Sequence, residues 1–347
     1  MNRARGDPAK WVRGLALCAA VLGLAAVALL LWAGGGGPDK ATPLVVLKLP
    51  RSGSSWLTGE LNEIPSVFVS KEIVQRGDRS AFSVDAMEEH FVRALQTPTG
   101  KLSSTRDYLP TGRFFEDYLL HKSLKVLKKM RVVGFTVNPE HCKDVQWQRV
   151  HQAVPGMRMV ALIRSNVVKS ALSGFRGKQT MALCGSSNLR FSAAYKNCTL
   201  PAMVDWSVGD FFREVASWQQ RYDDFGRVLQ RIRTSEHVAV ESVYYEDLQL
   251  DLGRALTHMF QSIGLSPAAA AELGATRASS PPQSGWLKRS SEDLRDILTN
   301  FAEIEQTLQR GRCVCLLAQL RATQATVFPP CRERYDASIH ECRAPAQ

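Results

Sequence analysis

The chain has 347 residues, of which 45% are hydrophobic, and carries a formal net charge of +11 at pH 7. This length and apolar content are sufficient for one large folded domain or two small ones. The N-terminal segment described next predicts a protein of the secretory pathway. In that setting a basic excess favours anionic glycans or acidic small molecules as ligands, and the lumenal location argues against nucleic acid.

The N-terminal segment has the pattern of a membrane anchor. Residues 14–33 carry no charge and are rich in leucine, alanine and valine, and about 20 such residues span a bilayer as a helix. Lys10 and Arg13 precede this run, and the next basic residue is Lys40. The positive-inside rule therefore predicts a single-pass anchor with a lumenal remainder. The predicted parts are a cytosolic tail (1–13), a transmembrane signal-anchor (14–33) and a stem (34–43). A cleaved signal peptide is the alternative, although its apolar core is usually only ~7–15 residues long.

The eight cysteines are compatible with an oxidising compartment. Cys18 lies in the predicted anchor, so seven remain, and at least one of them must stay free or pair with another chain. The four cysteines of the C-terminal tail (311–347) can pair with one another, and Cys184 can pair with Cys198. The Cys-x-Cys in that tail lacks a second pair at zinc spacing, so the sequence predicts no metal site.

Beyond the stem, strand-like and helix-like segments alternate. The predicted strands are 44–47, 67–70, 131–137, 157–163 and 238–243, and the predicted helices are 56–62, 114–130, 206–232, 252–263 and one that begins near Val167. Such alternation is typical of a mostly parallel sheet with helices on both faces, in which ligands bind at the carboxyl ends of the strands. Residues 76–111 show little periodicity and are predicted to be loops with one short helix, forming either a lid or plain surface.

The segment after the first predicted strand is the most informative part of the chain. Pro50 ends the strand, and the following residues are Arg51, Ser52, Gly53, Ser54, Ser55 and Trp56. Small residues leave the backbone N–H groups of the next helix open to an anion, and Arg51 adds a forked set of charged donors. The loop is therefore predicted to bind phosphate or sulfate. An ordinary strand–turn–helix with a surface arginine would have the same local pattern. The loop is not a Walker A motif, because no Gly-x-x-x-x-Gly-Lys-[Ser/Thr] string occurs.

A second polar cluster follows the predicted strand 157–163. Arg164 stands at the end of that strand, and Ser173 lies nine residues later on the next helix; Ser170, at six residues, is the alternative. Since the carboxyl ends of parallel strands share one edge of a sheet, such an arginine and serine can hold a second phosphate beside the first loop.

Together the two clusters resemble the motifs of the sulfotransferase superfamily, whose sulfuryl donor is 3′-phosphoadenosine 5′-phosphosulfate (PAPS). In that superfamily, Lys or Arg followed by Ser-Gly-[Ser/Thr]-[Ser/Thr] wraps the 5′-phosphosulfate, and a later Arg with a helical Ser grips the 3′-phosphate. Residues 241–248 resemble the family's Tyr-Glu-Asp-Leu segment, and residues 286–294 resemble its late basic loop, which closes over the nucleotide.

The resemblance implies a fold and a donor site. The fold would be a P-loop-like parallel α/β sheet flanked by helices, placed at residues 44–310, with PAPS as co-substrate and no metal. The residues that would bind the donor are Arg51, Ser52, Gly53, Ser54, Ser55, Trp56, Arg164, Ser173 and Lys288.

The resemblance also implies two catalytic residues. Arg51 would neutralise charge on the bridging and leaving oxygens. Glu72, at the end of the second predicted strand, matches the position of the general base in the heparan-type and tyrosyl-protein enzymes. His141 and His151 are rival bases, because cytosolic members use histidine. Otherwise Glu72 would be a strand-end carboxylate in a surface ion pair.

With its predicted anchor, the chain most resembles Golgi-type carbohydrate sulfotransferases. This resemblance implies a lumenal catalytic domain that acts on a glycan hydroxyl. A tyrosyl-protein acceptor and a lipid or small-molecule acceptor remain alternatives. A lectin-like protein that kept only the fold would be expected to lack Arg51 or Arg164, and both are present. A kinase or nucleotide hydrolase is disfavoured because the Walker lysine is missing. Asn197 begins an Asn-x-Thr acceptor for N-glycosylation, which agrees with a lumenal position.

Overall fold

The computed structural model describes residues 41–72, 83–96, 130–184, 201–279, 293–336 and 338–343. The predicted anchor (14–33), nearly all of the helix predicted at 114–130, the acceptor Asn197 and the predicted nucleotide-binding residue Lys288 lie outside these ranges. Within the ranges, no helix combines the length and apolar character that a bilayer span requires.

Five strands of the described chain form one parallel sheet in the order β2-β3-β1-β4-β5. They are β1 (Thr42–Lys48), β2 (Val67–Glu72), β3 (Val132–Val137), β4 (Arg158–Ile163) and β5 (Val240–Tyr244). The central strand β1 is fully buried from Leu44 to Leu47, as expected for an apolar strand that is covered on both faces. The predicted parallel α/β sheet is confirmed, and each predicted strand is present with its ends shifted by at most two residues.

Helices cover both faces of this sheet. In the described ranges they are α1 (Ser54–Asn62), α2 (Val84–Gln96), α3 (Trp147–Ala153), α4 (Val167–Cys184), α5 (Val208–Thr234), α6 (Tyr245–Leu250), α7 (Leu252–Ser262), α8 (Pro267–Ala278), α9 (Phe301–Arg310) and α10 (Val314–Arg321). Apolar residues of α1, α6, α7 and α8 form one core layer, and those of α2 to α5, α9 and α10 form the other.

Helix α2 falls within the segment 76–111 that the sequence analysis describes as loops with one short helix. Its Phe91 is fully buried and stacks between Phe135 (ring centroids 5.3 Å apart) and Trp147 (5.2 Å). Met87 and Leu95, one turn to either side, are also buried. This part of the segment is therefore a core helix and not a lid or plain surface.

The strand order creates a crevice between β1 and β4. These two strands are neighbours, and the chain leaves them in opposite directions, toward β2 at one edge and β5 at the other. In open parallel sheets, ligands bind at such a switch point, outside the carboxyl ends of the strands. The loop that contains Arg51 follows β1, and Arg164 follows β4. The fold therefore places both predicted anion-binding clusters at this crevice.

The C-terminal tail joins the core and is cross-linked to itself. Leu316 and Leu320 of α10 are buried in the larger core layer. Disulfides join Cys313 to Cys342 and Cys315 to Cys331. The predicted pairing of the four tail cysteines with one another is therefore confirmed.

The remaining described cysteines also agree with an odd count outside the anchor. Cys142 is a buried thiol whose Sγ donates a hydrogen bond to the Asn138 carbonyl (3.5 Å). Cys184 is disulfide-bonded, whereas Cys198, its predicted partner, lies outside the described residues. A carboxylate, Glu333, lies near the sulfurs of Cys315 and Cys331, but these sulfurs are joined in a disulfide and are not thiolate ligands for a metal.

Gln319 on α10 fastens the tail to the start of α4. Its side chain is fully buried, and its Oε1 accepts hydrogen bonds from the backbone N–H groups of Val167 (2.8 Å) and Val168 (3.4 Å). Its backbone carbonyl accepts a hydrogen bond from Nδ2 of Asn166 (2.9 Å). The first amides of a helix have no partner within that helix. In α4 they are capped by a residue 152 positions later in the chain.

Replacing this cap should destabilise the fold. Gln319→Leu is expected to lower the free energy of unfolding by about 1–3 kcal/mol, because two buried N–H groups lose their acceptor. Urea-induced unfolding of the full-length chain measures this difference. Gln309→Leu, at an exposed position of α9, is the control and should change the free energy by less than about 0.5 kcal/mol. Equal effects of the two substitutions would show that the cap contributes nothing.

Candidate active site

The loop after β1 is shaped to leave a helix N-terminus open. The Ser52 hydroxyl donates a hydrogen bond to the Leu49 carbonyl (2.8 Å), which closes the turn. Gly53 adopts the left-handed region (φ 85°) and precedes α1 without any side-chain cap. The first intrahelical bond runs from the Leu57 N–H to the Gly53 carbonyl (3.0 Å). The N–H groups of the preceding first turn, at residues 54–56, therefore face outward at the positive end of the helix dipole.

Tyr245, at the start of α6, joins this loop to the Arg164 cluster. A Cβ on residue 53 would clash with the Tyr245 ring, so the loop needs glycine for close approach as well as for its φ angle. Trp56 meets the same ring edge to face, with centroids 5.6 Å apart, and the Arg164 guanidinium lies 5.1 Å from its centroid. One aromatic ring thus contacts both predicted anion-binding clusters.

The two arginines are also in direct contact. Nη1 of Arg164 donates a hydrogen bond to the backbone carbonyl of Arg51 (3.4 Å). The Arg51 guanidinium extends onto α4, where a Cβ on Gly177 would clash with its Nη2. Ser173 is one helical turn before Gly177 and therefore shares the α4 face that Arg51 touches. The structure thus brings Arg51, Arg164 and Ser173 together at one end of the crevice.

Holding the positive charge of Arg51 at this partly buried position costs free energy. Burial lowers the pKa of the Arg51 guanidinium from its usual value, although the group stays protonated. Its backbone is also in the left-handed region (φ 65°), which is uncommon for a residue with a side chain. An anion bound beside the guanidinium would offset the cost of burying its charge.

Ser170, the alternative to Ser173, is engaged elsewhere. Its side chain is fully buried, and its Oγ lies 2.9 Å from the hydroxyl oxygen of Tyr222 on α5. Burial raises the pKa of Tyr222 to about 12, so this hydroxyl pair is neutral. Ser173 is only half-buried. Of the two serines, Ser173 has the hydroxyl that a ligand can reach.

The start of α4 differs from the start of α1, because the protein itself occupies it. Glu246 is buried and accepts hydrogen bonds from the backbone N–H groups of Ser165 (3.0 Å) and Asn166 (3.2 Å). Oδ1 of Asn166 accepts from the Lys169 N–H (2.9 Å), and Gln319 caps the two amides between them. An anion beside Arg164 would therefore be held by side chains and not by this helix end.

A narrow cleft lies next to Arg164. Its lining includes Arg164, Lys169, Tyr245 and Glu246 together with residues 324–326 of the tail. Burial and the nearby charge of Arg164 lower the pKa of Lys169 to about 8, against the opposing influence of Glu246 and Asp293. The Glu246 carboxylate in the lining already accepts hydrogen bonds from the N–H groups of Ser165 and Asn166, so the two cations are the charges left to attract an anion.

A β-bulge near the end of β2 aims Glu72. Ser70 pairs with Phe135 and Glu72 pairs with Thr136, so β2 contains one extra residue between two adjacent partners on β3. Without the bulge, Glu72 would project to the same face as Ser70. With it, Glu72 projects to the face shared by Thr136 and Lys48. Bulges beside active sites commonly re-aim a side chain in this way.

Glu72 is held by two basic side chains, one at the end of β1 and one in the turn after β3. Nζ of Lys48, at the end of β1, donates a hydrogen bond to Oε2 (2.7 Å). Nδ1 of His141, in the short turn after β3, lies 3.0 Å from Oε1. Burial alone would raise the pKa of Glu72, but the hydrogen bond from His141 and the charge of Lys48 outweigh it and lower the pKa. Glu72 is therefore a carboxylate at neutral pH, the form that a general base requires.

The two rival histidines lie at opposite ends of the strands. His141 belongs to the 3₁₀ turn Pro139–His141, directly beyond the carboxyl end of β3, and contacts Glu72. His151 is in the last turn of α3, which leads into the amino end of β4. The fold therefore groups His141 with Glu72 and separates His151 from them.

Sequence reasoning missed several residues of this edge. Lys48 interrupts an apolar run, an unusual position that could have marked it. Tyr245 and Glu246 lie in the stretch that resembles the Tyr-Glu-Asp-Leu segment, but that resemblance gave them no role. Lys169 carries no local signal, because only the fold places it beside Arg164. Lys288 is outside the described residues.

No protein-family model matches the chain, and no curated protein is similar to it in sequence. Among solved structures, it is similar to mouse sulfotransferase SULT7A1 complexed with PAP (13% identity, TM-score 0.37), covering 82% of this chain and 89% of that chain. It is also similar to a sulfotransferase from Alicyclobacillus acidocaldarius (15%, 0.33; 82% and 96% covered). A third similar structure is the sulfotransferase domain of the Synechococcus PCC 7002 olefin synthase (15%, 0.32; 77% and 86% covered). Values this low establish no activity for the chain.

Proposed function

We propose that this chain is a PAPS-dependent sulfotransferase that transfers a sulfuryl group to a hydroxyl of a glycan. One observation carries the proposal: the open N-terminus of α1 with Arg51 meets Arg164 at the switch point of the sheet. PAPS carries two separate anionic groups, a 5′-phosphosulfate and a 3′-phosphate. A site for it needs two anion-binding clusters that one nucleotide can bridge, and this crevice offers both.

The residues present fit the donor chemically. Backbone N–H groups at residues 54–56 and the Arg51 guanidinium would hold the 5′-phosphosulfate, because both are hydrogen-bond donors to anions and the same loop carries them. The side chains of Arg164 and Ser173 would hold the 3′-phosphate, since the start of α4 is already capped by protein groups. Trp56 and Tyr245 supply an apolar surface beside these donors.

The reaction that this site supports is an in-line displacement at sulfur. The acceptor hydroxyl oxygen forms a bond to sulfur while the bond from sulfur to the 5′-phosphate oxygen breaks. The hydroxyl proton moves to the Glu72 carboxylate, and 3′-phosphoadenosine 5′-phosphate leaves. Arg51 neutralises the negative charge that grows on the leaving oxygen, and positioning supplies much of the remaining rate enhancement.

The acceptor class and the location are parts of the same proposal. The basic net charge and the pattern of a type II signal-anchor at 14–33 support a glycan acceptor in the Golgi lumen. The disulfides of the tail support an oxidising compartment. The protein would then be a single-pass Golgi membrane protein with its catalytic domain in the lumen.

The test is transfer of radiolabelled sulfate. The purified full-length chain is incubated with ³⁵S-labelled PAPS and separate glycan, tyrosine-peptide and lipid acceptors. We expect label in the glycan arm. Label only in the peptide or lipid arm would keep the sulfotransferase and correct the acceptor. An absence of label in all three arms would contradict the proposed activity.

The pKa of Glu72 predicts the acid side of the pH profile. Because this pKa is lowered, the carboxylate persists as pH falls through the range in which an ordinary glutamate, with a pKa of about 4.3, becomes protonated. The acid limb of kcat/KM should therefore lie below that value. Lys48→Met removes one cause of the lowered pKa and should move the limb to higher pH. An unmoved limb would show that Lys48 does not tune the base.

A further inference from the structure

The tail residues 322–330, which we call the C-terminal strap, cross the sheet edge beside Arg164. They have no helix or strand of their own and follow directly on α10. Their carbonyl at Thr326 accepts a hydrogen bond from the Ser165 hydroxyl (3.3 Å), and the Phe328 N–H donates to the same hydroxyl oxygen (3.0 Å). The strap is thus anchored to the residue next to Arg164.

The strap forms one wall of the cleft described above. Its residues 324–326 line that cleft together with Arg164 and Lys169. Gln324 and Thr326 are exposed and carry an amide and a hydroxyl, which are groups that can bind a phosphate. The two cations of the lining favour a phosphate monoester over a neutral group.

The strap is fastened at both ends by strong contacts. At its start, the buried Gln319 of α10 caps α4. At its end, Cys331 forms a disulfide with Cys315 of α10, and Nε2 of Gln219 donates to the Cys331 carbonyl (3.2 Å). Between these ends, two hydrogen bonds with the Ser165 hydroxyl also hold the strap beside Arg164.

We propose that the C-terminal strap is a wall of the subsite that binds the donor's 3′-phosphate, and that the Cys315–Cys331 disulfide holds it in place. This inference rests on the proposed function. It adds a specificity-determining segment to the donor site. It also makes donor affinity depend on one disulfide of the tail.

The test measures nucleotide affinity and not turnover. Isothermal titration calorimetry of the full-length chain compares 3′-phosphoadenosine 5′-phosphate with adenosine 5′-phosphate, which lacks the 3′-phosphate. The double variant Cys315→Ser/Cys331→Ser frees the strap. The matched control, Cys313→Ser/Cys342→Ser, breaks the neighbouring disulfide of the same tail and leaves the strap fastened.

Freeing the strap should weaken binding of 3′-phosphoadenosine 5′-phosphate about tenfold, as expected if the strap then occupies its place about a tenth of the time. Affinity for adenosine 5′-phosphate should stay within about twofold, and so should both affinities in the control. Ser165→Ala keeps both disulfides and removes the strap's central anchor. It should weaken binding in the same selective way, to a smaller degree.

Two results would overturn the proposal while leaving the proposed function intact. Unchanged affinity in the Cys315/Cys331 and Ser165 variants would show that the strap is not part of the subsite. Tighter binding after the strap is freed would show that it obstructs the site. If the unmodified chain bound neither nucleotide, the proposed function itself would fail, and this inference with it.

Discussion

Arg51→Ala is expected to lower kcat for sulfuryl transfer by about 10²–10³-fold, the usual cost of removing one preorganised charge partner from a transition state. The Arg51 guanidinium contacts α4 at Gly177, one turn from Ser173, and the Arg51 backbone carbonyl accepts a hydrogen bond from Arg164. In the proposed reaction the guanidinium neutralises charge on the leaving oxygen, and this charge grows only as the reaction proceeds. The fold should survive, because the substitution removes a partly buried charge and leaves the neighbouring backbone contacts unchanged.

Two further variants separate catalysis from folding. Arg158→Ala removes an exposed arginine at the amino end of β4, whereas Arg164 follows the carboxyl end of the same strand. This substitution should leave kcat unchanged. Arg51→Lys keeps a positive charge without the forked donors and should retain part of the rate. Thermal unfolding checks that all three variants are folded. Near-normal turnover by Arg51→Ala would contradict the role given to this charge.

Glu72→Gln is expected to reduce kcat by about 10²–10⁴-fold, the range that a general base contributes. Binding of 3′-phosphoadenosine 5′-phosphate should stay near normal, because the base takes the acceptor's proton and has no part in holding the donor. The amide keeps the shape of the carboxylate and can still accept the hydrogen bond from Lys48. A folding defect is therefore not the expected cause of lost activity.

Variants of the two rival histidines, His141 and His151, make this experiment decisive. His151→Ala is the matched control, because His151 lies at the amino ends of the strands, away from Glu72. It should leave kcat unchanged. His141→Ala should lower kcat moderately, because His141 helps to hold Glu72 and to keep it ionised. If Glu72→Gln kept full kcat while His141→Ala abolished it, the base would be histidine. Glu72 would then be a residue that orients the imidazole.

The sheet could be predicted from sequence because its strands are buried on both faces. Such strands appear as continuous apolar runs, and residues 44–47 and 157–163 are clear examples. Arg51 and Arg164 could also be found, since each directly follows one of these runs. Helix α8 was missed although it has a local signal: Ser266 caps its N-terminus and Pro267 opens its first turn.

The arrangement of Lys48, Glu72 and His141 could not be predicted from sequence, because it depends on the order of the strands in the sheet. Lys48 and Glu72 are 24 residues apart in sequence. They meet because the sheet places their strands on either side of β3 and a bulge turns Glu72 to the face of Lys48. No local pattern in β2 announces that bulge. Position along the chain suggested Glu72, but its contact with His141 required the fold.

Contacts that stabilise the Arg164 cluster are even more remote in sequence. Gln319 caps α4 from 152 residues away, and the strap anchors to Ser165 from 161 residues away. Glutamine in an amphipathic helix and a polar tail segment are common on protein surfaces, so neither indicated a structural role. The four tail cysteines did have a sequence signal, which indicated that they can pair with one another but not which cysteine joins which.

The central claim is that one nucleotide bridges the Arg51 loop and the Arg164 cluster, and a crystal structure of the full-length chain with 3′-phosphoadenosine 5′-phosphate tests it most directly. The account predicts the 5′-phosphate within hydrogen-bond distance of the backbone N–H groups at residues 54–56 and of Arg51. It places the 3′-phosphate against Arg164 and Ser173. A nucleotide bound away from the β1–β4 crevice, or one with its 3′-phosphate in solvent away from Arg164, would contradict the account.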